Sequence, residues 1–468
     1  MPFFATIAHL PSQLKRDVPQ ILKLAGPILV GQLAVILFGV MDTAMTARYS
    51  TDDLAALGIA SAIFISIYVG LTGVITALNP IAGQLFGAGR YSEIGEEVRQ
   101  TFWLSIVLSS IGIFCLLHPE ILISIGKLSP NIQEKAKLYL RYLAIGTPAT
   151  MGMRTLMSFH NAISRPKVVT ALQIFGLGIK IPLNNLFIFG GLGIEAMGGP
   201  GCALASVIVQ WFWFLSMLGL VFWHPSYEKF KVFEKFTPPN WQKIWTLVKL
   251  GAPIGFSYLI EVTSFAFMAI FIARFGVQVL AGHQIISNMG TVLYMVPLSL
   301  SVATMTTVAQ RIGAQKEFEA EQVGWSAVIF TVSTSIILGV LVWVFQDYLL
   351  NLYSPGPEAR VVAKQLFLFI AFYQAVDALQ VTAAFILRGY KVTFLPMCIY
   401  AISLWGVGLA GGYLLAFNSF EITPEWLIGA GGFWMGNSVS LGIAACGLLW
   451  IFRHTAKKFE AHPPEVKA

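Results

Sequence analysis

The chain has 468 residues, of which 56% are hydrophobic and only 11% charged, against about 25% charged in soluble domains. That composition excludes a soluble globular protein and identifies an all-α polytopic membrane protein. The formal net charge of +7 is not a nucleic-acid signal, because its carriers sit at the ends of apolar segments, where Lys and Arg set topology; no nucleic-acid partner is expected.

At the N-terminus the short apolar run Phe3–Leu10 precedes Lys15 and Arg16. A signal peptide has the opposite order, and the run is of a length to lie along the membrane surface. Twelve transmembrane helices are then predicted, at about 21–48, 54–85, 101–117, 138–160, 168–190, 201–223, 246–275, 279–310, 324–346, 362–387, 394–416 and 429–452. A polar connector occupies 224–243. The expected organisation is a cytoplasmic segment 1–20, an N-lobe 21–223, the connector, a C-lobe 244–453 and a cytoplasmic tail 454–468. With both termini placed inside, most of the 30 Lys and Arg residues, Arg154 and Arg388 among them, fall on the inner side, which is the positive-inside pattern. The outer loop around Lys127–Arg141 runs against it. Cys115, Cys202, Cys398 and Cys446 all lie in apolar segments with no CxxC spacing, so they read as buried thiols, neither disulfides nor a metal site. The aromatic run Trp211–Phe214 reads as lipid-facing surface or an interface anchor.

The two halves repeat at an offset of 226 residues. Lys23-Leu24 and Pro27-Ile28 recur as Lys249-Leu250 and Pro253-Ile254, Ala47-Arg48 as Ala273-Arg274, and QLFGAGR at Gln84–Arg90 as QRIGAQK at Gln310–Lys316. Six spans per half is even, so the halves enter the membrane in the same sense. Parallel repeats of this kind are a transporter plan, two pseudo-symmetric six-helix bundles with a cavity at their interface.

Charge inside the spans marks the candidate sites, since an intramembrane ionisable residue is expensive to keep. In the first span Asp42 lies toward the outer side, where snorkelling to water is one reading. In the fifth, Lys180 sits mid-span with Asn184 one turn on. Asp42 is the sole carboxylate inside a first-half span, so an Asp42–Lys180 pair is the economical reading. In the seventh, Glu261 shares a helical face with Ser257, Tyr258, Ser264 and Phe265, by i±3 and i±4 spacing. The eighth carries His283, Gln284, Asn288 and Tyr294. Gln284 and Asn288 suit a cavity wall or a helix–helix hydrogen bond equally, and His283 reads as structural. In the tenth, Asp377 is central, with Tyr373 and Gln374 a turn before it and Gln380 three residues after. Oxygens of this kind bind hard monovalent cations, and a carboxylate in a low-dielectric setting also suits a proton. The repeat pairs Asp42 with Met268, Glu261 with Val35 and Asp377 with Met151, so the polar chemistry is not symmetric. QLFGAGR lacks the GK[ST] of a phosphate loop. No nucleophile triad, zinc spacing or nucleotide motif supports an enzyme or an ATP-driven pump.

Five stretches in this order and spacing resemble the multidrug and toxic compound extrusion (MATE) family, NorM-type branch: MDTAMTA at 41–47, ALNPIAGQLFGAGR at 77–90, IPLNNLFIFG at 181–190, GAPIGFSYLIE at 251–261 and YQAVDALQVTAAFILRGYK at 373–391. The resemblance covers about residues 15–455. It implies the V-shaped fold of that family, two six-helix lobes around a central cavity, and antiport of cationic or amphipathic drugs against sodium or protons across the bacterial inner membrane. It implies an ion-coupling site at Glu261, Asp377 and Tyr373, which would be the metal ligands if the ion is Na+. Gln284 and Tyr294 are implied as further members, and Asp42 as an N-lobe proton site. An Asn usually precedes the IPLN-like motif in the family; Lys180 stands there instead. A lysine paired with Asp42 would keep the carboxylate ionised and remove it from proton coupling. The expected ligands are thus small organic cations and a coupling ion, Na+ or H+, with membrane lipid around the protein and no other cofactor; the two-lobe repeat is sufficient as a monomer. The alternative within the wider superfamily is a lipid-linked oligosaccharide flippase, which the acidic span interiors argue against. A channel built from a duplicated bundle lacks any filter-like sequence.

Overall fold

The computed structural model describes residues 10–124, 129–419, 421 and 423–461. Apart from one bridge between Gly191 and Ile194, every regular element among the described residues is helical, as expected where the backbone can satisfy its own N–H and C=O groups without water. The principal helices follow the predicted spans: α1 (Leu10–Tyr49), α2 (Thr51–Ile75), α3 (Tyr91–Leu117), α4 (Pro130–Ala162), α5 (Pro166–Phe189), α6 (Gly199–Trp223), α7 (Trp241–Ile272), α8 (Val277–Gly313), α9 (Glu317–Val344), α10 (Pro357–Gly389), α11 (Phe394–Tyr400) and α12 (Ala430–Ala461). Helix Leu78–Gly87 extends α2, and a π-helical stretch, Ala401–Gly411, with the short helix Gly412–Ala416 extends α11.

Eleven of these segments are long and apolar enough to cross a membrane. The exception among the twelve predicted is α4, which has ample length at 33 residues but carries Arg141, Arg154 and several threonines. Two boundaries also move. The helix of α1 is continuous from Leu10 through Pro19 and Pro27, so the segment expected to precede the first span is part of it. The helix of α12 runs on to Ala461. Residues 3–9 of the Phe3–Leu10 run, 125–128 of the outer loop and 462–468 of the tail lie outside the described residues. The four cysteines are free thiols, but only Cys202 is buried; Cys446 is exposed on the helix surface. In the aromatic run, Trp213 does not face outward: it is buried and donates to the Leu172 carbonyl at 2.7 Å.

The helices form two compact units. One is Val30–Gly255; the other consists of the described residues before and after it. Both divisions fall inside a helix, two residues after Pro27 in α1 and two after Pro253 in α7. They are equivalent in the repeat, since 29 + 226 = 255. A helix-internal proline removes one backbone hydrogen bond and bends the axis. In the larger-numbered unit Ile21, Ala25 and Ile28 of α1 join the core built by α7–α12. There Ser326 of α9 donates to Asp17 at 3.3 Å, and Arg16 reaches Gln322 at 3.0 Å. In the other unit the start of α7 docks on α3 at the repeat-equivalent place with the opposite charge, Lys243 lying 3.2 Å from Glu96 and 3.0 Å from Glu97.

The connector is not a loose polar loop. Pro225–Phe230 is a 3-10 helix whose Tyr227 and Phe230 are buried. Phe230 packs on Phe159, Phe86 and Tyr91. Arg99 of α3 donates to the Lys231 and Val232 carbonyls at 2.6 and 3.0 Å, and Gln100 bonds both Pro238 and Asn240. This strap requires glycine at position 95, because a Cβ there would run into the Phe230 carbonyl oxygen. Gly95→Val should therefore destabilise the protein by about 1–3 kcal/mol and open 231–240 to protease. Gly178→Ala, where nothing lies within 4 Å of the added Cβ, should leave thermal unfolding unchanged; equal behaviour of the two variants would refute the strap.

Candidate functional site

Each unit holds its own cluster of charge, and the two clusters are built differently. In the unit that follows Gly255, α7 turns Phe256, Phe267 and Ile270 outward and buries Ser257 and Ser264. Glu261 lies on the inward stripe, partly accessible. It is within electrostatic reach of Asp377 and Arg388, yet makes no hydrogen bond or ion pair with the described residues.

Asp377 of α10 is 3% exposed. It accepts from Gln380 Nε2 at 3.0 Å, and the Gln380 carbonyl oxygen accepts from the Tyr400 hydroxyl. Tyr400 ends α11, just before the π-helical stretch, a geometry that recurs at functional sites. Tyr373 is held edge-on between Phe265 and Trp434, at 6.4 and 5.2 Å between centroids. Trp434 in turn donates to His283 Nδ1 at 3.2 Å, which gives His283 a structural role. Gln374 is buried with its Nε2 unpartnered. Tyr294 packs on Met305, Val381 and Phe385, within reach of both carboxylates.

Two predicted members stand apart. Gln284 and Asn288 are exposed on α8 and bond to none of these groups. Their i, i+4 spacing gives them one face, and that face is exposed. Sequence reading missed two others. Arg388, counted above as a topology-setting charge, is only 6% exposed. Its guanidinium lies over Phe385 and Tyr258, at 4.2 and 4.8 Å, and donates to the Tyr258 hydroxyl at 2.7 Å. Tyr400 carried no signal in sequence beyond being a phenol in an apolar run.

In the Val30–Gly255 unit, Lys180 is fully buried and its Nζ lies 3.1 Å from Asp42 Oδ1. The ammonium also donates to the Cys202 carbonyl at 3.1 Å and to the Ser206 hydroxyl, so each of its three protons has an acceptor. The Phe38 ring covers it at 4.4 Å, backed by Trp213. Asn184 Nδ2 completes the cluster, donating to Asp42 Oδ1 at 2.7 Å. Asp42 is buried and does not snorkel to water.

The family model MatE matches residues 27–186 and again 253–414. The two matches begin 226 residues apart, 253 − 27, which is the offset of the internal repeat. The chain belongs to the MatE family. Among its relatives, the "Probable multidrug resistance protein NorM" of Aromatoleum aromaticum is 36% identical over 431 residues, 92% of each chain. The "Multidrug resistance protein MdtK" of Yersinia pseudotuberculosis is 33% identical over 438 residues, 93% of this chain and 95% of the relative. Solved folds of the same kind include the eukaryotic MATE transporter AtDTX14, with a TM-score of 0.82 at 20% identity over 97% of this chain and 100% of that one. The Vibrio cholerae MATE transporter VcmN in its bent form also scores 0.82, at 16% identity over 96% of this chain and 99% of that one.

As a MatE protein, then, this chain keeps a twice-repeated scaffold and places one satisfied and one unsatisfied charge cluster on it. The satisfied one can be tested by stability. Lys180→Met leaves the Asp42 carboxylate buried without its counter-charge, which should cost about 3 kcal/mol. The double variant with Asp42→Asn should recover most of that loss. Additive effects in thermal unfolding of the purified protein would show that the pair is not coupled.

Proposed function

We propose that this MatE protein is a secondary active antiporter of the bacterial inner membrane, with both termini cytoplasmic, that exports cationic or amphipathic organic compounds in exchange for Na+ or H+. Relatives named multidrug resistance proteins, similar over nearly the whole chain, support a small-molecule substrate. The single observation that carries the coupling is Glu261, a carboxylate in an apolar helix with no basic partner inside 4.0 Å among the described residues, within electrostatic reach of a second carboxylate, Asp377, as well as of Arg388. Two such groups are held at a price in solvation that a bound cation relieves.

The donor set limits what that cation is. Among the described residues no three His, Cys, Asp or Glu side chains converge, so the cluster is not suited to a transition metal. Two carboxylates with the Tyr373 hydroxyl suit a monovalent ion or a proton. Coupling follows from competition: an organic cation and the ion are drawn to the same negative charge, so each weakens the other. Alternating access then needs only that the ion bind one state of the protein more tightly than the other.

Glu261→Gln and Asp377→Asn should each reduce ion-driven efflux of a fluorescent organic cation from proteoliposomes to the protein-free background, with normal amounts of inserted protein. Normal efflux in both variants would sink the proposal. Efflux driven by a sodium gradient alone would make Glu261, Asp377 and Tyr373 a sodium site. Efflux driven by a pH gradient alone would assign a proton to the carboxylates.

A further inference from the structure

The connector between the two repeats has two faces. Tyr227, Phe230 and Val232 turn inward and are buried. Phe233 and Phe236 turn outward, and the flanking Phe222, Trp223, Trp241 and Trp245 are exposed with them, Phe236 by 82% and Trp241 by 73%. Single exposed apolar residues need no explanation, whereas a cluster marks a surface that something covers. Phe222 packs on both Trp223 and Phe233, at 5.6 Å between centroids. Trp241 and Trp245 lie one turn apart on α7.

The outward rings are held in place. Phe236 stands edge-on to Trp103 of α3 at 5.9 Å. The next residue, Thr237, accepts from Trp103 Nε1 at its carbonyl, 3.0 Å, and from Arg99 Nε at its hydroxyl, 2.9 Å. The phenyl is thus presented on a fixed backbone.

Position and charge say what covers it. Trp223 is the last residue of α6 and Trp241 the first of α7, and both helices are long and apolar enough to cross a membrane. The connector therefore lies at the membrane face where two spans end, the level at which aromatic rings are enriched. Arg99, Lys229 and Lys235 have no carboxylate within 4.0 Å among the described residues. Arg99 donates to the Lys231 and Val232 carbonyls, which leave its charge unmatched. Lys229 lies over the Tyr91 ring at 4.1 Å, and Lys235 is exposed. Of the connector's carboxylates, Glu228 and Glu234, the second is taken by Lys231 at 3.0 Å. The unmatched charge on this face is thus mainly positive.

We propose that the outer face of the connector is a docking surface for anionic phospholipid. Phe233, Phe236 and Trp241 enter the boundary between headgroups and acyl chains, and Lys235, with Arg99 and Lys229 nearby in the chain fold, attracts the headgroup phosphate. The inference needs only the membrane-spanning helices and goes beyond the transport reading. It makes the segment that joins the two repeats a point at which lipid composition acts on the protein.

The test is photo-crosslinking of the full-length protein in phosphatidylcholine nanodiscs. The discs carry, at equal mole fraction, a diazirine analogue of phosphatidylglycerol or of phosphatidylcholine. Adducts are mapped by mass spectrometry, with the outward residues of α9 as internal reference. Relative to α9, residues 225–245 should take more of the phosphatidylglycerol analogue. Lys235→Gln should lower that excess roughly five-fold, the weight of one lysine near an anionic lipid surface. Added salt should lower it as well. Phe236→Ser combined with Trp241→Ser should reduce adducts of both lipids on this stretch and leave those on α9 unchanged. Lys235 has no partner to lose among the described residues, so its variant keeps the test decisive if the aromatic double variant does not fold. Equal labelling by both lipids, indifferent to Lys235→Gln, would overturn the docking surface. So would an absence of adducts from 225–245, including the case in which this stretch cross-links to a second copy of the chain. Efflux is not read at any step, so failure here is distinct from failure of the antiport reading.

Discussion

A charge in an apolar interior has to be matched by a tethered counter-charge, sheathed by polarizable groups, or left for a ligand to match. All three solutions occur here. Lys180 and Asp42 match each other, and the lysine's remaining protons are taken by a carbonyl and a hydroxyl. Arg388 is sheathed, with its guanidinium between Phe385 and Tyr258. Glu261 has neither. Lys180, Asp42 and Arg388 are buried and Glu261 is partly accessible, so the way each is matched decides what it can do.

The scaffold is symmetric and the charges are not. The unit divisions inside α1 and α7 are repeat equivalents, each just beyond a helix-internal proline. Even the docking of the two helix starts is repeated, with Asp17 and Ser326 in one unit and Lys243 with Glu96 and Glu97 in the other. Duplication thus supplies geometry, and side-chain divergence supplies polarity. The faces that hold Asp377 and Gln380 in α10 hold Met151 and Arg154 in α4. One fold thereby presents an acid face and a basic face from the same structural position.

Much of this was legible in the sequence because it depends on spacing. The helices follow from apolar length, the repeat from a constant offset that the double family match reproduces, and the Asp42–Lys180 pair from Asp42 being the one acid inside the first-half spans and Lys180 lying mid-span. What was not legible depends on side-chain direction. Arg388 sits at the end of its helix and Arg154 about two turns inside its own, and counting charges by chain position cannot distinguish a residue that points to water from one folded over a ring. Gln284 and Asn288 share a face, but period alone does not say which way that face turns. The Tyr400 contact depends on where a π-helical stretch begins, for which no local residue preference exists. The connector looked polar because its lysines and glutamates outnumber the two aromatics, Tyr227 and Phe230, that anchor it. A helix does stand where the α4 span was expected, but it is less apolar than its partners, since it faces protein through most of its C-terminal half.

The contrast between the clusters bears on which unit can do work. A ligand moves an equilibrium only through a difference in affinity between states, and a site whose charge is already matched has little affinity left to differ. Lys180 is covalently attached, so its ammonium is always present at Asp42 and no dissolved cation competes on equal terms. Glu261 and Asp377 have an amide and phenols beside them, with Arg388 within electrostatic reach of Glu261 but making no ion pair with it. On the proposed reading, a cation that arrives and leaves is the one missing partner that restores their balance. On that reading, the groups that lack a tethered partner are the ones through which the protein exchanges ligands with its surroundings, while the Asp42–Lys180 pair is already matched.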